Sequence, residues 1–211
     1  KVLLDGIPLN EPGGTFNFNN IGSGNLERIE VVRGAHSSLF GSDAMSSVVQ
    51  LFTKRGTPGA SPSASVQLEG GNYGTSQASA AASGGAGAWD YALSAGRFST
   101  DNRVANSGFE NTTISGNVGR PLGSNTQLRA VTRFEIGQTG TPGQTAYGRP
   151  DGDAYFDQHQ MAGGLSLDQR LTPSFRQRLT YSLAATNQAS VNLLEDPPFT
   201  PTFNGVAAPY E

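Results

Sequence analysis

Three groups of residues in this sequence have types and spacings suited to chemistry. In DGDAYFD, residues 151–157, Asp151, Asp153 and Asp157 offer the hard oxygen ligands that calcium takes. They lack the EF-hand pattern and its distal Glu, so a solvated acidic loop is the competing reading. In NEPGGTFNFNN, residues 10–20, the amides of Asn10, Asn17 and Asn19 alternate with the rings of Phe16 and Phe18. That mixture suits a ligand of mixed polarity, and an Asn/Gly turn cluster is the alternative. In LERIEVVRG, residues 26–34, Glu27, Arg28, Glu30 and Arg33 place both signs of charge on a strand-like stretch that also carries Ile29 and Val31. Nothing in the chain reads as an enzyme. There is no G-x-S-x-G elbow and no H-E-x-x-H, and the two histidines, His36 and His159, lie far apart. GNYG and GSGN lack the strand-to-helix context of a phosphate loop.

Composition narrows the class of chain that holds these groups. The 211 residues include no cysteine, which removes disulfides and thiol chemistry. Charged residues make up 15%, below the roughly 25% of soluble domains. The net charge of −3 gives no reason to expect a nucleic-acid partner. No apolar run reaches the roughly 18 residues of a spanning helix. The mean hydropathy of −0.36 is compatible with a membrane barrel, where only alternate residues meet lipid.

Past residue 57 the chain alternates with period two, in stretches of about ten residues separated by turn residues. Over 126–136, Leu128, Ala130, Thr132, Phe134 and Ile136 share one face. Gln127, Arg129, Arg133 and Glu135 share the other, with Val131 as an apolar exception. Residues 175–186 repeat this, with Leu179, Tyr181 and Leu183 opposite Arg176, Arg178, Thr180 and Ser182. In 88–98, Trp89, Tyr91 and Leu93 oppose Asp90, Ala92 and Ser94. Weaker patterns at 65–71, 75–84, 111–119 and 158–170 bring the expected strands to seven. The gaps at 84–87, 121–125 and 171–174 are short, and those at 99–110 and 138–157 are long. An up-and-down membrane barrel has that asymmetry, and a soluble sandwich is the alternative. Both termini read as cut, so the chain is expected to be part of a longer protein.

The opening 56 residues resemble the C-terminal half of the plug domain of TonB-dependent outer-membrane receptors. The motifs are Val2-Leu3-Leu4-Asp5-Gly6-Ile7-Pro8, Leu26–Val31 (LERIEV), Arg33-Gly34, Ser38–Ala44 (SLFGSDA) and Val48–Arg55 (VVQLFTKR). Ala35 stands where the family usually has Pro, Ser46-Ser47 where it has Gly-Gly, and Gln50 where it has Asn. The resemblance implies a mainly β chain: part of a mixed α/β plug over 1–56, a linker over 57–63, and the first strands of a transmembrane β-barrel over 64–211. The whole barrel would have roughly 22 strands.

It also implies a function: active uptake of a scarce nutrient such as a ferric siderophore, cobalamin or an oligosaccharide, across the outer membrane of a Gram-negative bacterium. The partners would be the nutrient, outer-membrane lipid, and TonB with its inner-membrane energising complex. No cofactor is implied beyond calcium at Asp151, Asp153 and Asp157, since cobalamin receptors of this family carry calcium in early outer loops. Residues 10–20 would be a plug apex meeting ligand. Glu27, Arg28, Glu30 and Arg33 would pair with wall groups such as Arg129, Arg133, Glu135, Arg176 and Arg178. A non-transporting, adhesin-like β-protein is the reading from another class.

Overall fold

The computed structural model describes residues 1–10, 16–18, 21–41, 43–143 and 151–193, with the side chain of residue 23 left out. Within them lie two sheets. The first begins with β1 (Val2–Leu4) and β2 (Ile7–Pro8), joined by the tight turn Asp5-Gly6. Both turn residues have positive φ, 49° and 91°, as a two-residue hairpin turn requires. A single 3-10 turn, Ser23–Asn25, leads into β3 (Leu26–Arg33). A one-turn helix α1 (Ser37–Phe40) and β4 (Ser47–Thr53) complete the unit. The order is β2-β1-β4-β3, with β1 parallel to β4 and β3 antiparallel to it.

The second sheet is an antiparallel meander of seven strands in chain order: β5 (Ser63–Gly70), β6 (Ser76–Ala86), β7 (Trp89–Thr100), β8 (Phe109–Pro121), β9 (Thr126–Gly140), β10 (Tyr155–Thr172) and β11 (Phe175–Val191). All seven strands expected from the alternation are present. The later ones are longer than the alternation predicted, up to 18 residues in β10. Pairing beside a neighbour continues after the apolar/polar contrast has faded. The turns at 87–88, 122–125 and 173–174 are short, and the connections at 101–108 and 141–154 are long.

Strand parity sorts the meander's side chains. On β8 and β9, Asn111, Thr113, Ser115, Asn117, Arg129, Val131, Arg133 and Glu135 are buried on one face. This inner face meets the four-stranded sheet. The opposite face exposes Leu93, Ile114, Phe134, Ile136, Leu165, Leu179, Tyr181 and Leu183. A soluble monomer rarely exposes so continuous an apolar band, whereas a barrel wall in lipid requires one. Trp89, near the short-turn end, lies under the Arg120 guanidinium, 5.2 Å from its ring centroid. An amphipathic pair there suits the edge of a membrane.

This sorting predicts a parity-dependent cost. In the full-length protein, Leu183→Arg should destabilise the barrel by about 2–4 kcal/mol, the cost of a cation near the bilayer midplane. Ser182→Arg, one residue away on the inner face, should cost far less. Urea unfolding in lipid vesicles measures both, and equal losses would mean that the faces are assigned wrongly.

Candidate functional site

The chemistry-bearing residues gather where the small sheet sits on the meander. Val2 and Leu4 of β1 and Leu51 of β4 project from one face and pack with Ile7, Leu9, Val131 and Ala162. Leu3 and Val48 project from the other and pack with Ala44, beside Val32 and Phe40. The sheet therefore buries apolar side chains on both sides, with the wall of β9 and β10 covering the first. Each large aliphatic side chain so buried contributes about 1.5–3 kcal/mol. At Gly164 on β10 the wall is trimmed to admit Ile7. A Cβ built there would lie 2.7 Å from Ile7 Cδ1.

Neutral hydrogen bonds rim this apolar seat. Asn117 Nδ2 of β8 donates to Thr53 Oγ1 at 2.7 Å, and Gln160 Nε2 of β10 donates to the Leu9 carbonyl at 3.2 Å. Behind Asn117 is a buried ion pair, in which Arg129 Nη1 and Nη2 donate to the two oxygens of Asp90 at 2.9 and 3.0 Å. Arg129 Nη1 also donates to Asn117 Oδ1 at 2.5 Å, which turns the amide so that its nitrogen faces Thr53. Thr53 Oγ1 in turn donates to Asp5 Oδ2 at 2.5 Å. A continuous chain of contacts thus runs from the Asp5-Gly6 turn to the wall. Asp5, Thr53, Asp90, Asn117 and Gln160 were not singled out by residue type. Asp5 and Thr53 at least stood inside quoted motifs and Asp90 in an alternating stretch, while the partnerships of Asn117 and Gln160 became visible only through strand pairing.

Among the described residues, no ion pair is seen between β3 and the expected wall groups of β9 and β11. Arg28 and Glu30 are opposite Phe52 and Gln50, so they share the sheet face of Val48, not that of Leu51. They point away from β9 and bond to each other at 2.7 Å, with Arg28 3.8 Å above the Phe52 ring. The Glu30 carboxylate raises the Arg28 pKa above its ordinary value. Glu27 and Arg33 are exposed. On the wall, Arg129 is taken by Asp90 and Asn117, and Arg133 Nη1 meets Glu135 Oε2 at 3.4 Å. Arg176 and Arg178 share Asp168.

The loop residues divide. Asn10 Oδ1 accepts from the Val2 amide at 2.7 Å, so at least one of its groups is structural. Phe16 packs against the core cluster, and its ring meets that of Phe18 edge to face with centroids 5.0 Å apart. Phe18 is 55% exposed. Asn17 is half-buried, and Asn19 lies outside the described residues.

The three aspartates do not converge. Asp151 Oδ1 accepts the amides of Asp153 and Ala154, and Asp153 Oδ1 accepts that of Leu193. Asp157 is opposite Gln138 on the outer face and accepts its amide at 2.9 Å. Among the described residues no group of three metal-ligating side chains forms. The three side chains are kept apart because parity turns Asp157 to the outer face while Asp151 and Asp153 accept backbone amides.

The first unit has the geometry of a plug: a small sheet seated on the inner face of a wall whose outer face is apolar. Residues 1–48 match the family model of the TonB-dependent receptor plug domain. They are plug domain. The chain is 41% identical over 51 residues to the vitamin B12 transporter BtuB of Vibrio vulnificus (strain CMCP6), a match covering 24% of this chain and 8% of that protein. It superposes on the ferric yersiniabactin uptake receptor FyuA of Yersinia pestis with a TM-score of 0.74 and 14% identity, over 90% of this chain and 32% of that one. For the pyoverdine outer membrane receptor FpvA of Pseudomonas aeruginosa PAO1 bound to pyoverdine, the values are 0.72, 15%, 95% and 32%. The fold is that of a plug and part of its barrel in TonB-dependent receptors, and the chain spans under a third of the length of these two solved structures.

The seat makes one prediction. Asn117→Ala should leave Thr53 and Arg129 short of a partner and loosen the plug by about 1–3 kcal/mol. Amide exchange in β4 of the full-length protein should quicken while exchange in β7–β9 holds. Unchanged β4 exchange would show that the plug does not hang on this bond.

Proposed function

We propose that this chain is the C-terminal part of the plug and the first barrel strands of an outer-membrane receptor. The receptor captures a scarce nutrient outside a Gram-negative cell and imports it with energy delivered by TonB. One observation carries the reading: a plug-type sheet seated by its apolar face on the inner side of a meander whose outer face suits lipid. In this reading residues 1–56 are plug, 57–63 the linker and 64–211 barrel. The short turns face the periplasm and the long connections face outward. The related proteins are transporters and receptors, and the chemistry here is binding and movement, with no reacting group required.

The plug would work as a removable stopper. Among the described residues, its contacts with the wall are apolar packing and neutral hydrogen bonds, which can be broken and remade without stranding a buried charge. Nutrient would land on the outer side, where the Phe18 ring is exposed beside Asn17. A pull from the periplasmic side would then shift the plug on its seat.

Cells producing the full-length receptor should bind their nutrient with or without a proton gradient and accumulate it only with one. Accumulation that survives a protonophore would exclude the energised mechanism. Phe18→Ala should weaken binding about tenfold, the scale of an aromatic contact, and spare the fold. Phe16→Ala should loosen the plug instead, since its ring packs on the core. Equilibrium binding to whole cells separates the two effects.

A further inference from the structure

We propose that the outer vestibule beside the plug takes an uncharged ligand, or the uncharged end of a larger one, presenting a flat apolar face with hydrogen-bonding edges. This rests on the uptake reading and narrows it to a class of cargo. Between the plug segment 21–24 and the outer ends of β6–β8 lies a cavity of about 490 Å³, within the range of small-molecule sites. Thr100 pairs with Phe109 and Phe98 with Asn111, which sets both rings on the inner face. The rings are tilted by 48° with centroids 5.9 Å apart, and both are half-buried. They present an apolar surface to whatever enters.

Beside the rings is a polar group with a fixed orientation. Asn111 Nδ2 donates to Glu135 Oε1 and Thr113 Oγ1 donates to Asn111 Oδ1, each at 3.0 Å. A carboxylate only accepts, so Glu135 decides which end of the Asn111 amide points where. The amide keeps further donor and acceptor capacity for a ligand. Gln77 of β6, opposite Phe98, adds a second amide on the same face.

Charge is what this lining lacks. Its one ionic residue among the described residues is Arg97, which parity turns outward onto Glu110 at 2.5 Å. Lys54 stands at the edge of the cavity, its ammonium donating to the carbonyl of the lining residue Gly24 at 3.1 Å. The charge bonded to Asn111 is an anion, Glu135. A multiply anionic ferric chelate lying against the described lining would lose water with no guanidinium of that lining turned toward it, and with the Lys54 ammonium at its edge engaged by Gly24.

The test is equilibrium binding of three probes to the full-length receptor: cyanocobalamin, a linear maltooligosaccharide and a trianionic tris-catecholate ferric chelate. One uncharged probe should bind, and the chelate should not. The double variant Phe98→Ala/Phe109→Ala should weaken the bound probe at least about tenfold. Thr113→Val, nearly isosteric and a guard against misfolding, should weaken it about threefold by freeing the Asn111 amide. Heat-modifiable migration checks barrel insertion in each variant. Tight binding of the chelate, or an uncharged probe indifferent to both variants, would overturn the inference and leave the uptake reading standing. Binding of none of the three also overturns it, and the uptake reading falls with it only if energised cells accumulate no nutrient.

Discussion

The structure depends on one apolar seat. Val2, Leu4, Ile7, Leu9 and Leu51 leave water against Val131 and Ala162. Without that burial the small sheet would be four short strands with little to stabilise them. With it, the sheet lies at a fixed position on the inner wall, and every polar contact at its rim follows from that position. Thr53 reaches Asn117, and Leu9 reaches Gln160, because the packing has already set the distance.

Ion pairs play a different part from the expected one. Hydrated pairs between plug and wall would have been individually weak. The pairs at the seat are instead inside the wall: Arg129 with Asp90, and Arg133 with Glu135, both buried. A buried charge separated from its partner is costly, so pairs whose two members belong to one sheet survive a displacement of the other sheet intact. Among the described residues, the interface that must part holds aliphatic contacts and neutral hydrogen bonds. These can be exchanged for water at about 1 kcal/mol per bond.

Much of this was legible in the sequence, and the failures have a common cause. Alternation revealed the seven strands, even β6, whose small residues carry almost no contrast, because its neighbours imply it. The plug strands at 26–33 and 47–53 were legible as well, from motif and from apolar runs. What alternation cannot supply is which face of one sheet meets which face of another. Glu30 and Arg133 are each plain on a strand, but a one-residue change of parity decides whether they meet. Parity across two separate sheets is set only by packing. The aspartate triplet is kept from converging for the same reason, since Asp157 belongs to a strand and its side chain follows the strand's alternation, not the loop's spacing.

Val131 shows how far such a reading can go. On β9 it broke the alternation, an apolar residue on a face of Gln127, Arg129, Arg133 and Glu135. Taken alone it is noise in a pattern. In a wall whose polar side faces a water-filled lumen, however, an inward valine would have no partner. An inward valine is stable only if something apolar covers it, and here Leu51 and its neighbours do. Gly164 on the adjacent strand is the complementary sign, a side chain removed where Ile7 must enter. An apolar exception on a polar inner face, beside a glycine on the next strand, therefore marks where a plug rests. Both signs follow from the same requirement, that the seat be dry and close-packed.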